Sequence, residues 1–149
     1  MPHHEPQAVL IERALAMARV RALRAALLAL HKTLLDTERR RYERAHGRVE
    51  GAPAVLRLVL EDPWFRWLSP LATTIVQMDE RLAEEAPFDR TEADTFADGV
   101  RRLLHGQDAD ATFVVEYHRS LQATPDVVVA HARVMSLLNG AGSDNRDNR

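Results

Sequence analysis

The chain has 149 residues, of which 46% are hydrophobic and 28% are charged, and its formal net charge is −2 at pH 7. This length fits one domain, which buries roughly 68–70% of its unfolded surface and needs no covalent staple. The chain contains no cysteine, which excludes disulfides, thiolate metal sites and cysteine nucleophiles.

The sequence predicts neither a membrane span nor a secretory signal. No stretch approaches the ~20 apolar residues that a transmembrane helix needs. Glu5 and Glu12 precede any long apolar run, unlike the start of a signal peptide. The lack of cysteine suits a reducing compartment, so we expect a cytoplasmic protein that does not contact a membrane.

Charge is unevenly distributed along the chain. Residues 1–46 hold nine Lys/Arg against five Asp/Glu, and the remainder holds eleven against seventeen. A basic first helix lying on an acidic body, within one chain or across a dimer, accounts for this asymmetry. Nucleic-acid binding is the alternative, but the pI of 6.4 is far from the basic signature of such domains.

Residues 7–46 contain no Gly or Pro and predict one long helix, or two helices with a subtle break. Forty helical residues span about 60 Å, against ~30 Å for a small domain. We therefore expect the helix to bend, to break or to extend towards another subunit. Six of its apolar residues follow a 4-3-4-3-4 spacing, which keeps one face towards a partner helix. They are Ala16, Val20, Leu23, Leu27, Leu30 and Leu34.

Prolines organise the middle of the chain. A short helix is predicted over Pro53–Glu61, after two glycines that end the first helix. Asp62-Pro63 and Ser69-Pro70 each predict a helix start, with a cap followed by proline. Because proline inside a helix removes a hydrogen bond, we expect a turn at Trp64–Leu68, a kink, and a helix from residue 70 to about residue 85.

Three more helices are predicted, starting near Thr91, Ala111 and Pro125. The last is expected to end at Asn139-Gly140, followed by a polar, flexible tail over residues 141–149. Its predicted core face consists of Val128, Val129, Ala132, Met135 and Leu138. The whole pattern predicts an all-α fold, a five- to six-helix bundle with a long N-terminal helix, in a single domain over residues 1–140.

Three pieces of the chain carry a family resemblance. They are LHKxLLDxER from Leu30, DPWFRWLSPL over Asp62–Leu71, and Ile75 followed by Asp79-Glu80. Together they resemble a family of short, uncharacterised bacterial α-helical proteins. The match covers about residues 30–82, and DPWFRWLSPL is its most specific element. The resemblance implies a small helical bacterial domain and carries over no activity, substrate or site residue.

The candidate metal ligands lie on the first helix. Helical bundles bind metals through paired Glu-x-x-His motifs on facing helices, and this chain has a single copy, Glu43-x-x-His46. His31 and Glu38 lie near one face but two turns apart. Because a bundle site needs ligands from several helices, ordinary surface or hydrogen-bonded groups are the favoured interpretation. No cofactor is predicted.

Acid–base catalysis would fall to Asp79 and Glu80. These neighbours point about 100° apart on a helix, which prevents a closely shared carboxylate pair. The sequence also contains no nucleophile elbow, no phosphate-binding glycine loop and no His-Glu-x-x-His motif. It therefore favours a non-enzymatic protein.

An arginine cluster and two tryptophans are the remaining candidates. Arg40 and Arg44 lie one turn apart, and Arg41 shares a face with Arg44, so the three could grip a phosphate or an acidic partner. A solvated helix face with local ion pairs is the favoured alternative.

Trp64 and Trp67 are expected to pack on the first helix, although tryptophan is also enriched at interface hot spots.

The sequence thus predicts a non-enzymatic, cytoplasmic interaction or regulatory domain that forms a homodimer through residues 16–34. Association with another protein is the alternative kind of partner. The alternative is a small-ligand- or metal-binding bundle, with His31, Glu43, His46 or the tryptophans near its pocket. The predicted contact residues for the favoured function are Leu23, Leu27, Leu30, Leu34, Trp64 and Trp67.

Overall fold

The computed structural model describes residues 5–107 and 110–143, with the backbone alone for 141–143. Within this part of the chain there are six α-helices and no strand, which confirms the all-α prediction. None of these helices is long and apolar enough to cross a lipid bilayer. The elements are α1 (Gln7–His46), α2 (Ala52–Glu61), a 3₁₀ helix (Pro63–Leu68), α3 (Ser69–Ala83), α4 (Arg90–Leu104), α5 (Ala111–Ala123) and α6 (Pro125–Ser143).

Helix α1 is one uninterrupted helix, and it is the spine on which the fold is built. It ends at Gly47, whose φ of 94° lies in the left-handed region that favours glycine. The Gly47 amide donates to the Glu43 carbonyl at 2.8 Å and so satisfies one of the last carbonyls of the helix. Helices α3, α4 and α6 all pack along α1.

The proline-rich segment after α2 forms a corner, as predicted. The Asp62 carboxylate accepts a hydrogen bond from the Trp64 amide at 2.9 Å, and Pro63 occupies the first turn of the 3₁₀ helix. This helix runs directly into α3, where Pro70 again occupies the first turn. The corner directs Phe65, Trp67 and Leu68 inwards, and all three are buried.

Helix α6 buries Leu138 as predicted, but the rest of its buried face differs from the prediction. Val127, Val134 and Leu138 are buried, whereas Val128 and Val129 are 45% and 70% exposed. Because three valines follow one another, the sequence does not decide which face of α6 is buried. The face that is buried also includes half-buried His131. A purely apolar criterion misses that face. The predicted end at Asn139-Gly140 is also wrong, because α6 continues to Ser143; residues 144–149 of the predicted tail lie outside the described residues.

Phe88 is a core residue that the sequence interpretation leaves unassigned. It lies between α3 and α4 and is 1% exposed. The Arg81 guanidinium carbon lies 4.5 Å from the centre of its ring, and Arg81 also hydrogen-bonds Glu92 and the Pro87 carbonyl. Arg81 therefore closes the loop over the ring and fixes the entry into α4.

Candidate functional site

The apolar row on α1 that the sequence assigned to a partner is covered by the chain itself. Leu27, Leu30 and Leu34 are fully buried, and Leu23 is 5% exposed. Helices α3, α4 and α6 supply the facing side chains, because an apolar row needs a helical partner but does not specify which chain provides it. Interface roles for these four leucines are therefore corrected to core roles. The six-residue row, from Ala16 to Leu34, is called the buried seam below.

The two tryptophans differ in their surroundings. Trp67 is buried, with its ring centroid 6.0 Å from that of Phe113, so its predicted interface role is wrong. Trp64 is half-buried and packs edge-on against Tyr42 and His46, at centroid distances of 5.5 Å and 5.4 Å. The Trp64 indole nitrogen is itself buried and has no hydrogen-bond partner within the described residues.

Glu38 is a fully buried carboxylate in the second half of α1. Arg119 of α5 donates to it at 2.5 Å, and Trp67 Nε1 and Arg41 donate at 3.4 Å. Arg119 also donates to Glu116 from Nε at 2.9 Å. Burial alone would lower the pKa of Arg119, but its hydrogen bonds to Glu38 and Glu116 raise it above the usual value. The cluster is an ion pair that joins three elements of the core.

The predicted anion site is divided by this arrangement. Arg41 interacts with Glu38, and its guanidinium lies 4.7 Å from the Trp64 ring centroid, so it is engaged within the chain. Arg40 and Arg44 are exposed and have no hydrogen bond or ion pair within the described residues. Arg44 lies in the last turn of α1, where a cation interacts favourably with the helix dipole.

The metal candidates are held apart by other contacts. Glu43 accepts from Arg39 at 2.8 Å, His46 stacks on Tyr42 at 4.4 Å, and Glu38 is engaged by Arg119. His31 is half-buried, and burial lowers its pKa. Across residues 5–107 and 110–143, no group of three or more His, Asp or Glu side chains is placed to hold a metal ion.

The acid–base candidates on α3 are surface groups. Asp79 accepts hydrogen bonds from Arg24 of α1, and Glu80 is exposed.

A buried polar pair lies elsewhere, between α5 and α6, where the Tyr117 hydroxyl is 2.6 Å from His131 Nδ1. Burial raises the pKa of Tyr117, and burial followed by repulsion from His105 lowers the pKa of His131. The pair is therefore uncharged near neutral pH, and the tautomer of His131 decides which of the two groups donates.

The amino half of α1 carries a second apolar row, which stays outside the core. It repeats with a 3-4-3-4-3-4 spacing, and every one of its residues is exposed. Ile11 and Leu15 are its largest members, at 53% and 61% exposed. We call this row the exposed seam; it consists of Ala8, Ile11, Leu15, Ala18, Ala22, Ala25 and Ala29.

A groove of about 630 Å³ runs beside the exposed seam. Ile11 and Leu15 line it from α1, and Leu137 of α6, which is 40% exposed, lines it from the opposite side. Arg19 stands at its rim and donates to Asp94 at 3.1 Å. The sequence interpretation missed this surface because alanine dominates it, although its heptad spacing was a readable signal.

Helix α2 forms a smaller apolar surface near the other end of α1. None of its residues is buried, and Leu56 and Leu60 are 60% and 73% exposed. A shallow groove separates α2 from α1, with Leu35 and Val59 on its two sides. The chain thus leaves apolar side chains in water at two separate places along α1.

A comparison with protein-family models, with curated proteins and with solved structures finds no significant match to this chain. A function for the chain therefore has to be argued from its own geometry.

Proposed function

We propose that the chain is a non-enzymatic, cytoplasmic interaction domain that forms a homodimer through the exposed seam and the groove beside it. The observation that carries the proposal is the seam itself. A row of seven apolar residues on the longest helix remains in water after the core is complete. Large exposed apolar patches on soluble proteins mark interaction sites.

The physical reason lies in the free energy of burial. Covering a leucine or isoleucine side chain stabilises a complex by roughly 1.5–3 kcal/mol. Ile11, Leu15 and Leu137 lie close together around the groove, so a single helix laid along it covers all three. Apolar anchors in the centre of a patch carry most of the free energy of an interface.

The polar groups beside the seam suit a protein partner. Glu12 and Arg21 are exposed and have no hydrogen bond or ion pair within the described residues. Charged groups at the edge of an apolar patch fix the alignment of a partner and raise the association rate. The buried seam on the neighbouring face anchors α1 to the core from Ala16 onwards, so this part of the exposed seam loses little entropy on binding.

Sedimentation equilibrium tests the proposal over about 1–100 μM, the range in which a dimer of moderate affinity dissociates. We expect a concentration-dependent mass that rises to twice 16.8 kDa. A mass of 16.8 kDa at every concentration contradicts the homodimer. Native mass spectrometry of the same samples provides a second readout, because it also reports any bound metal or small ligand.

A further inference from the structure

The exposed seam has a symmetry that selects one arrangement of two helices. A heptad has two core positions. In the exposed seam the first is occupied by Ala8, Leu15, Ala22 and Ala29, and the second by Ile11, Ala18 and Ala25. In an antiparallel pair, each layer joins the first position of one helix to the second position of the other. We propose that two copies of the chain associate through antiparallel α1 helices along this seam. The inference rests on the homodimer proposed above and assigns its geometry.

Side-chain volume favours the antiparallel alignment. When Leu15 lies opposite Ala18 of the second copy, Ile11 lies opposite Ala22 and Ala8 lies opposite Ala25. Both large side chains then face alanines, so the spacing between the helices is even along the contact. A parallel pair in register would place leucine on leucine, isoleucine on isoleucine and alanine on alanine, which leaves gaps beside the alanine layers. Alanine also permits an interaxial distance near the lower end of the usual range of about 8–10 Å.

Charge fixes the alignment along the helices. In the arrangement just described, Glu12 flanks Arg19 of the second copy, and the two-fold axis repeats this pair. A shift by one heptad in one direction brings Arg19 beside Arg19, and a shift in the other direction brings Glu12 beside Glu12. Like charges facing each other across an interface disfavour both shifted alignments.

The flanking groups retain hydrogen-bonding atoms for these pairs. Glu12 has no partner within the described residues, and Arg19 uses only its Nη2 atom for Asp94. On the other flank, Arg21 lies beside Ala14 of the second copy, so no repulsion arises there. The contact spans residues 8–25, which is about 27 Å of helix.

Charge exchange between variants tests the alignment. Glu12→Arg and Arg19→Glu each place like charges together in their homodimers, so we expect each variant alone to dimerise about ten-fold more weakly than the natural chain. An equimolar mixture restores both Glu–Arg pairs and should recover the natural dimerisation constant. The matched control exchanges charges away from the seam, with Glu85→Arg and Arg102→Glu, both at exposed positions. Their mixture should behave like either variant alone.

Disulfide trapping tests the direction, since the chain has no cysteine of its own. Ile11→Cys and Ala22→Cys lie at exposed positions, so neither should disturb the fold. In the proposed pair, residue 11 faces residue 22 of the second copy, whereas two copies of residue 11 are about 16 Å apart. A disulfide requires Cα atoms within about 7 Å, so the mixture should cross-link and neither variant alone should.

The outcomes separate the two proposals. A natural chain that is monomeric at all concentrations overturns the homodimer, and the inference with it. A dimer whose Ile11→Cys and Ala22→Cys variants each cross-link alone overturns the antiparallel arrangement and leaves the homodimer standing. A dimer that shows neither cross-linking nor a mixing effect associates through another surface, which overturns the inference and the assignment of the homodimer to the exposed seam.

Discussion

Arg119 Nη2 lies 2.5 Å from Glu38 Oε1, although 81 residues separate them in the sequence. The carboxylate is fully buried and the arginine is partly exposed, with side-chain accessibilities of 1% and 29%. The contact fixes α5 to the carboxyl-terminal half of α1. Glu38 also accepts hydrogen bonds from Trp67 and Arg41, and Arg41 in turn lies over the Trp64 ring.

Replacing Arg119 should lower the free energy of unfolding far more than the partly exposed position of its side chain suggests. Arg119→Leu leaves the buried Glu38 carboxylate without its main partner, and breaking a buried pair in this way destabilises proteins by about 3–5 kcal/mol. Urea unfolding followed by tryptophan fluorescence measures the loss. Arg40→Leu is the control, since Arg40 is exposed and has no ion pair within the part of the chain that the structure describes, and we expect a change within about 0.5 kcal/mol. Equal losses for both variants would show that the Glu38 cluster contributes little.

The dimer should depend on Leu15 and not on Leu56, two leucines of nearly equal exposure at 61% and 60%. Leu15→Lys places a charge in the centre of the exposed seam, so we expect dimerisation to weaken by at least ten-fold, the factor that follows from losing about 1.4 kcal/mol. Leu56→Lys lies on the α2 surface and should leave the constant unchanged. Both variants should keep the natural thermal stability of the monomer, because neither side chain is buried. A dimer weakened equally by both changes would contradict the assignment to the seam.

The free energy of unfolding should fall as the pH drops below the pKa of an ordinary histidine. His131 has a lowered pKa in the folded chain because of burial and the charge of His105, against 6.5 for an unperturbed side chain. Below pH 6.5 the unfolded chain therefore binds more protons than the folded chain, and the free energy of unfolding decreases as the pH falls towards the folded pKa. Protonated His131 carries a hydrogen on both ring nitrogens, so it can only donate to the Tyr117 hydroxyl oxygen.

Thermal unfolding at intervals between about pH 8 and pH 5 measures this loss, a range that spans the histidine pKa. His131→Gln retains a hydrogen-bonding group without the titration, so its melting temperature should fall less steeply with pH. His31 also has a burial-lowered pKa, so a residual slope is expected in this variant. His118→Gln is the control, because His118 is exposed. A pH slope unchanged by His131→Gln would show that this histidine is not the titrating group.

Helix α2 should be the least protected helix of the fold. None of its residues is buried, and helices with few buried apolar contacts open locally at a low free-energy cost. Hydrogen exchange should therefore be faster for its amides than for those of α3, which carries Leu71, Ile75 and Met78 in the core. Protection of α2 equal to that of α3 would mean that its apolar side chains are covered in solution.

The positions of the helices were predictable where local sequence signals are strong, whereas the packing of one helix on another was not. The absence of Gly and Pro predicted α1, and Pro63 and Pro70 predicted the corner, because these residues act through their own backbone. The phase of α6 was misread, because three consecutive valines fit several faces and the buried face includes His131. The partner of the buried seam was also misassigned, since apolar spacing marks a covered surface without naming the element that covers it.

The polar part of the core was the least predictable. Glu38 lies among charged residues in a run that is typical of a solvated helix face, and its burial depends on Arg119 and Trp67 from distant parts of the chain. No local pattern reports such contacts. The exposed seam, by contrast, could have been found by testing each face of α1 for heptad spacing, including faces made mostly of alanine.

The long separation between Glu38 and Arg119 also bears on synthesis. A chain made from its amino end at about 5–20 residues per second presents Glu38 roughly 4–16 s before Arg119 exists. During that interval, the Glu38 carboxylate lies on a face of α1 that is buried in the final fold, and its principal counter-ion, Arg119, has not been synthesised. The nascent chain therefore cannot form the Glu38–Arg119 ion pair until α5 has been translated, and α6, which also packs along α1, follows later still.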